Sequence, residues 1–366
     1  MSQTMNRCYR LRRRPSVAIT PAELEFAEES IPDIGSGQAL IRTLWLSIDP
    51  SNRIGMSEIH YGMPPVALGA VMRGFGIGEV VESRRGDMQP GDLVSGLTGW
   101  ADYAVADATN LVPFTVLPTP LPGPMASMLG ALGHTGVTAY LGVHDICRPR
   151  PGDTMVVTAA AGAVGSVAGQ IGKARGARVI GTAGTPEKCD HVVRAFGFDA
   201  CINYRDPKWR DQLDAATPDG IDIIFENVGG RLFEHLLTRI NVGARIALCG
   251  LMADYHGYGS PGPAEQTGID ANRLLLSRAM LESFLVLDHS DRFPEARTYL
   301  AELIAAGELH HEQTVIDGLE HARDALNQMF AGANIGKLLI KVAERSRMTP
   351  IYGMSQGHST ALGGGV

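Results

Sequence analysis

At 366 residues the chain exceeds what one hydrophobic core ordinarily organises, and two domains are expected. With 45% hydrophobic and 19% charged residues it has a globular composition, and a formal net charge of −7 removes the electrostatic basis for binding nucleic acid or an anionic membrane. The five cysteines, at 8, 147, 189, 201 and 249, show no C-x-x-C pair and no histidine at ligand spacing, which speaks against structural zinc or a disulfide framework and for a reducing, cytoplasmic setting.

The Arg-rich start, MSQTMNRCYRLRRRP, reads as an opening strand with basic residues on its solvent face; no apolar h-region or small-residue cleavage site follows, as a secretory signal would require. Up to about residue 130 the segments 39–48, 75–83, 89–97 and 101–107 are short apolar or alternating strands punctuated by Gly and Pro, the pattern of a small β-barrel. The character changes near Gly133. A helix is expected over 134–147, then strand 154–160, a helix from Val164 to Arg175, strand 177–183, a helix from Pro186 to Phe196 and a strand from Ala200 to Asn203. Strand 220–228, a helix from Leu232 to Arg239 and strands 244–250 and 281–287 complete an alternation that predicts a parallel, doubly wound sheet. Helices over 293–307 and 319–332 precede a last strand at 337–342, and the tail beyond 345 shows no apolar periodicity. No apolar run approaches the roughly 18 residues of a membrane span.

The strand 154–160 runs into Ala160-Ala161-Gly162-Ala163-Val164-Gly165-Ser166, a G-x-G-x-x-G pattern with Ala160 in the first glycine slot. Gly162 lets the backbone approach a pyrophosphate, Gly165 lets helix and strand pack closely, and the helix start offers free N–H groups. The alternative is a tight strand-to-helix turn of any α/β protein. The next strand ends in Thr182, Ala183 and Gly184, where a carboxylate would repel a 2′-phosphate. Small residues leave room for that phosphate and Lys188 offers a counter-charge; the other reading is a solvated lysine, although a cation in a first helical turn opposes the helix dipole.

These residues fall within a longer pattern. TLWLSIDP (43–50), LGHTGVTAYLG (132–142), TAAAGAVGS (158–166), AGTPEK (183–188), FGFDACINY (196–204), ENVGG (226–230), LCGLMADY (248–255), SFLV (283–286) and GANIGK (332–337) stand in order between about Asn6 and Lys341. The chain thereby resembles the zinc-independent medium-chain dehydrogenase/reductases, and among them the NADPH-dependent alkenal double-bond reductases of the leukotriene B4 dehydrogenase and prostaglandin reductase type. The resemblance implies an α/β fold with a GroES-like barrel domain (1–131), a Rossmann domain (132–300), a return segment completing the first domain (301–344) and a flexible tail (345–366). It implies that Ala163, Val164, Gly165 and Ser166 line the pyrophosphate and that Lys188 and Tyr204 take the 2′-phosphate of NADPH. Asn227 and the run Cys249, Gly250, Leu251 to Tyr255 would follow the cofactor towards its nicotinamide, which Phe284, Leu285 and Val286 would meet through their backbone; Asn334 would close the site.

By the same resemblance Tyr255, acting with the cofactor's ribose hydroxyl, donates to the enolate oxygen that forms when hydride reaches the β-carbon of an enone or enal; the alternative is that Tyr255 packs on the cofactor. His256 reads as loop surface. The zinc-dependent relatives need Cys and His ligands where this chain has MRGFGIGEV (72–80), so no metal is expected. One departure concerns the substrate: the family's D-P-Y-M-R segment is Asp49-Pro50-Ser51-Asn52-Arg53 here, and replacing an aromatic ring by Ser51 and Asn52 predicts a roomier, more polar pocket for a bulkier or more polar enone. A quinone reductase on the same fold, and a non-catalytic NADPH-binding protein like the lens crystallins of this superfamily, remain as other readings. A homodimer is implied by analogy with relatives that pair through Rossmann sheet edges.

Overall fold

The computed structural model describes residues 5–16, 18–255 and 267–345; His256 and the stretch from 346 lie outside the described residues. The chain opens with an antiparallel pair, β1 (Met5–Leu11) and β2 (Leu24–Ser30). The arginines of the start are paired rather than free: Arg7 meets Asp102 at 2.8 Å, and Arg10, Arg12 and Arg13 meet Glu29, Glu25 and Glu23. Next come β3 (Ala39–Ser47), a short helix α1 (Ser51–Gly55), β4 (Gly76–Ser83), β5 (Leu93–Gly96), β6 (Tyr103–Ala106) and β7 (Thr115–Val116). One edge of β3 pairs with β4, while the other is divided between β6 at its start and a C-terminal strand at its end.

The second sheet follows from apolar runs buried on both faces. Its strands are β8 (Thr154–Val157), β9 (Arg178–Ala183), β10 (Ala200–Asn203), β11 (Ile221–Glu226), β12 (Ile240–Leu248) and β13 (Met280–Ser283), all parallel, in the order β10-β9-β8-β11-β12-β13. In β8, β9 and β11 nearly every residue is buried, because helices cover both faces of the sheet. The order reverses between β8 and β11, so the crevice of a doubly wound sheet opens at their carboxyl ends. The helices are α2 (His134–Leu141), α3 (Ala163–Ala174), α4 (Pro186–Phe196), α5 (Trp209–Ala216), α6 (Gly230–Leu237), α7 (Ala271–Ser277), α8 (Phe293–Ala305) and α9 (Ala322–Phe330). α4 shows why such a segment becomes a helix: Thr185 caps it by accepting from the Lys188 N–H, Pro186 fills the first position, and Gly197 at φ 69° ends it.

The chain then returns to the first sheet. β14 (Gln313–Asp317) pairs with β15 (Lys337–Lys341), and β15 joins β3 with Leu339 opposite Ser47, giving the order β14-β15-β3-β4-β5-β7. Several expected boundaries move. The helix over 134–147 is α2 continued by a wider π-type turn at Gly142–Cys147. The strand expected over 281–287 stops at Ser283, where pairing with Leu248 ends and the chain turns to face the cleft. A domain division at 300 would cut α8, which runs to Ala305.

Candidate active site

A cleft of about 350 Å³ lies at the carboxyl ends of β8, β9, β11 and β12, walled on its other side by residues of the first sheet and its C-terminal strands. At its floor β8 passes through Ala159 (φ 50°) into Gly162, the N-cap of α3. A Cβ on Gly165 would stand 2.4 Å from the Ala159 carbonyl oxygen, so only glycine permits this approach. Ala163, Val164 and Gly165 line the cleft, and as the first turn of α3 their N–H groups have no intrahelical acceptor. The Gly336 N–H donates to Ala161 O at 2.8 Å, stitching the C-terminal segment to this loop. Ser166, expected on the pyrophosphate, is instead buried and off the cleft wall: it lies one turn along α3, where its N–H already donates to Gly162 O at 3.0 Å.

One end of the cleft is cationic. Lys188, Tyr204 and Arg205 line it beside Ala183 and Gly184. Gly184 leaves room there, since a Cβ would lie 3.1 Å from the Tyr204 hydroxyl. Lys188 Nζ donates to the Asn334 carbonyl at 2.5 Å, and the Asn334 amide is turned back on Gly336 O at 2.9 Å. The Lys188 ammonium is held below its ordinary pKa, first by burial and then by the neighbouring Arg205 guanidinium. Two cations thus face one corner with no carboxylate between them. Arg205 was missed in the sequence, although its place directly after Tyr204 at the end of β10 was the available signal.

The middle of the cleft is shaped by a buried carboxylate. Glu226 ends β11 and accepts from Thr158 Oγ1 at 3.0 Å and from the Val228 and Gly229 N–H groups at 2.6 and 2.7 Å. Burial outweighs these donors and pushes its pKa up to about 7. The adjacent Asn227 donates to Thr158 O at 2.8 Å and lines the cleft with Cys249, Gly250 and Tyr255. Tyr255 is buried, its hydroxyl 3.1 Å from where a Gly250 Cβ would sit. Leu251 is off the cleft wall; its side chain packs over Gly229, at φ 81°. Phe284, Leu285 and Val286 line the cleft, and Leu285 reaches across to Gly62, where a Cβ would collide with it at 2.2 Å.

The remaining wall comes from the first sheet. Ser51 faces the cleft at the start of α1. Asn52 does not: its side chain accepts from the Asp49 N–H at 2.8 Å and donates to Arg73 O at 3.1 Å, so it braces the turn and borders a side recess of about 30 Å³. Lys337 is buried and donates to Ile48 O and the Asp49 carboxylate, both at 2.7 Å. His134 and Phe75 complete this wall.

A doubly wound sheet with a glycine cradle at its switch point, a cationic corner and a second domain closing the crevice defines a dinucleotide-dependent oxidoreductase. Residues 7–114 match a family model described as the N-terminal domain of oxidoreductase, and residues 163–302 one described as zinc-binding dehydrogenase. The NADPH-dependent curcumin reductase of Escherichia coli is 39% identical over 92% of this chain and 97% of its own length. The 2-alkenal reductase (NADP(+)-dependent) of Nicotiana tabacum is 37% identical over 84% of this chain and 88% of its own. CurA from Vibrio vulnificus, solved with NADPH, superposes with a TM-score of 0.86 at 36% identity, covering 92% of this chain and 99% of that one. The chain belongs to the medium-chain dehydrogenase/reductase family, in its zinc-independent branch with these double-bond reductases. The donor set does not fit a catalytic zinc: among the described residues no group of three His, Cys, Asp or Glu is placed to hold a metal, and Asp49 is committed to Lys337.

Proposed function

We propose that the protein reduces the C=C bond of α,β-unsaturated ketones or aldehydes with NADPH. The observation that carries the cofactor choice is the corner of Lys188, Tyr204 and Arg205, which offers two cations and a hydroxyl and no carboxylate. An adenosine 2′-phosphate supplies the dianion this corner lacks. The first-turn N–H groups of Ala163, Val164 and Gly165 suit the pyrophosphate, and the loop from Asn227 with Cys249 and Gly250 suits the nicotinamide half. Phe284, Leu285 and Val286 lie past the last ladder pair of β13; the Leu285 carbonyl accepts from the Asp288 N–H at 3.0 Å, and the N–H groups of this stretch suit the carboxamide oxygen.

When bound, the cofactor supplies a hydride. The chain's part is to orient the enone and stabilise the charge that appears on its carbonyl oxygen, a role that the cleft-lining hydroxyl of Tyr255 suits. Ser51, in place of a tyrosine, leaves room for a bulky or polar substituent. We place the protein in the cytoplasm as a homodimer. Its five cysteines are free, and no helix among the described residues is long and apolar enough to cross a membrane. β13 is the terminal strand of its sheet, and Leu275 and Leu276 beside it on α7 are each 73% exposed, an apolar edge suited to a second copy. Turnover of NADPH and NADH across enals, enones and quinones, with product analysis, tests the reading. Saturated carbonyl products made with NADPH support it; preference for quinones, or no consumption, overturns it.

A further inference from the structure

We infer that Glu226 is a positioning residue: together with Thr158 its carboxyl fixes the turn after β11, and that turn holds the loop carrying Tyr255, so that the Tyr255 hydroxyl is aimed at the substrate oxygen. The inference rests on the proposed reduction of enones and deepens it by naming what orients the proposed donor.

Glu226, at the end of β11, and Thr158, directly after β8, are both fully buried, and neither lines the cleft. Three donors converge on one carboxyl oxygen of Glu226: the Thr158 hydroxyl at 3.0 Å and the Val228 and Gly229 N–H groups at 2.6 and 2.7 Å. The other carboxyl oxygen is buried with no hydrogen-bond partner among the described residues. Thr158 Oγ1 in turn accepts from the Asn227 N–H at 2.7 Å. Three successive N–H groups are thus turned inward onto two side chains, and the chain leaves through Gly229 and Gly230 at φ 81° and 61°. Successive N–H groups facing one side form a concavity that calls for an acceptor. An apolar side chain in place of Glu226 would leave the Val228 and Gly229 donors unpaired, and the turn could not hold this shape at the same cost.

The outward side of the turn carries the order to Tyr255. Asn227 O accepts from the Met252 N–H at 3.2 Å and Val228 O from the Ala253 N–H at 2.8 Å. The Gly230 N–H donates to Thr267 Oγ1 at 2.8 Å, and that hydroxyl donates to the Asp254 carboxylate at 2.9 Å. Residues 252, 253 and 254 are therefore each tied to the turn, and Met252 O accepts from the Tyr255 N–H at 3.3 Å. Tyr255 folds back over the same turn. A Cβ on Gly250 would stand 3.1 Å from the Tyr255 hydroxyl and 3.4 Å from Asn227 O. Glu226 meets no reacting atom, so its effect on catalysis passes through the placement of that hydroxyl, and a displacement of about 1 Å is enough to matter.

The test places Glu226→Met, Glu226→Gln and Thr158→Val in the wild-type chain and in Tyr255→Phe, with NADPH and 4-phenylbut-3-en-2-one as the enone. In the wild-type chain Glu226→Met, which keeps the buried volume, should lower kcat by about 30-fold and Thr158→Val by about tenfold. Glu226→Gln keeps an acceptor oxygen and should restore most of the rate lost in Glu226→Met. Fluorescence titration should find NADPH affinity within about threefold in all three, because the Lys188 corner is untouched. In the Tyr255→Phe background neither Glu226→Met nor Thr158→Val should cost more than about twofold in kcat, since an absent hydroxyl cannot be misaimed. A role confined to stability would instead lower kcat by the same factor in both backgrounds, and Thr158→Val, nearly isosteric, carries the comparison if Glu226→Met does not fold. Equal factors in the two backgrounds, no loss from either variant, or a Tyr255→Phe enzyme as fast as wild type overturns the inference and leaves the proposed reduction standing. A wild-type enzyme that reduces no enone with NADPH overturns the proposed function and this inference with it.

Discussion

Replacing Lys188 by alanine separates the phosphate-binding role from every other role of that side chain. The ammonium does two things in the structure: it stands in the corner with Tyr204 and Arg205, and it ties α4 to the carbonyl of Asn334. Only the first depends on the 2′-phosphate. A charge-assisted hydrogen bond contributes about 1.5–3 kcal/mol, and Arg205 remains to share the phosphate, so a loss of about 2 kcal/mol, or roughly 30-fold in NADPH affinity, is expected. Losing the tie to Asn334 weakens both cofactors alike, by about 1 kcal/mol, or roughly fivefold. Because the shared loss cancels, the NADPH-to-NADH ratio should fall about 30-fold, and by more in Lys188→Ala with Arg205→Ala. Steady-state kinetics with each cofactor and fluorescence titration of the free enzyme read this directly. Equal losses for NADPH and NADH in both variants would refute the assignment of this corner to the phosphate.

Tyr255→Phe removes the hydroxyl proposed for the enolate oxygen and should lower kcat by roughly 100-fold while NADPH affinity stays within about threefold; an unchanged kcat would assign the ring to packing alone. Ser51→Tyr puts about 150 Å² of aromatic surface into the cleft and should shift preference from bulky cyclic enones to short enals, and an unaltered ranking would sink that idea. Glu226, with its carboxyl raised from the ordinary 4.5 to about 7, makes stability depend on pH. Its contribution is whole below about pH 4.5, where both folded and unfolded forms are protonated, and about 3 kcal/mol is lost as pH rises through 7. Denaturant midpoints from pH 4.5 to 8.5 should decline in wild type, and Glu226→Gln should remove that part of the slope; parallel curves would contradict the linkage. Light scattering of Leu275→Glu with Leu276→Glu should report a monomer where wild type is a dimer, and an unchanged mass would move the interface elsewhere.

The two-domain plan was legible because its central strands are buried on both faces, and such strands are dominated by apolar residues: TMVV, RVIGTA and IDIIFE became β8, β9 and β11. Elements at the margins were harder to read. α7 exposes its leucines on the sheet's outer edge, and β14 lies at the end of its sheet with mixed burial, so neither has a clean period. The glycine cradle and Lys188 could be found locally, since strand, turn and helix spacing fixes them, whereas Tyr204 was implied only by the family resemblance. The wall facing the substrate could not. Its ion pair joins Asp49 to Lys337 across 288 positions, and the aromatic bed of His134 takes Phe75 from just before β4 and Phe293 from the start of α8. Asn52 braces its turn instead of facing substrate for a related reason: its partners, the Asp49 N–H and Arg73 O, are backbone groups that sequence does not display.

Everything proposed for the cleft turns on hydride delivery to the β-carbon of a conjugated carbonyl. Turnover of an enone with NADPH carrying deuterium at the transferred position of C4, followed by NMR of the product, tests it most directly. A saturated ketone with deuterium at the former β-carbon is expected. Deuterium on the carbinol carbon of an allylic alcohol would contradict it.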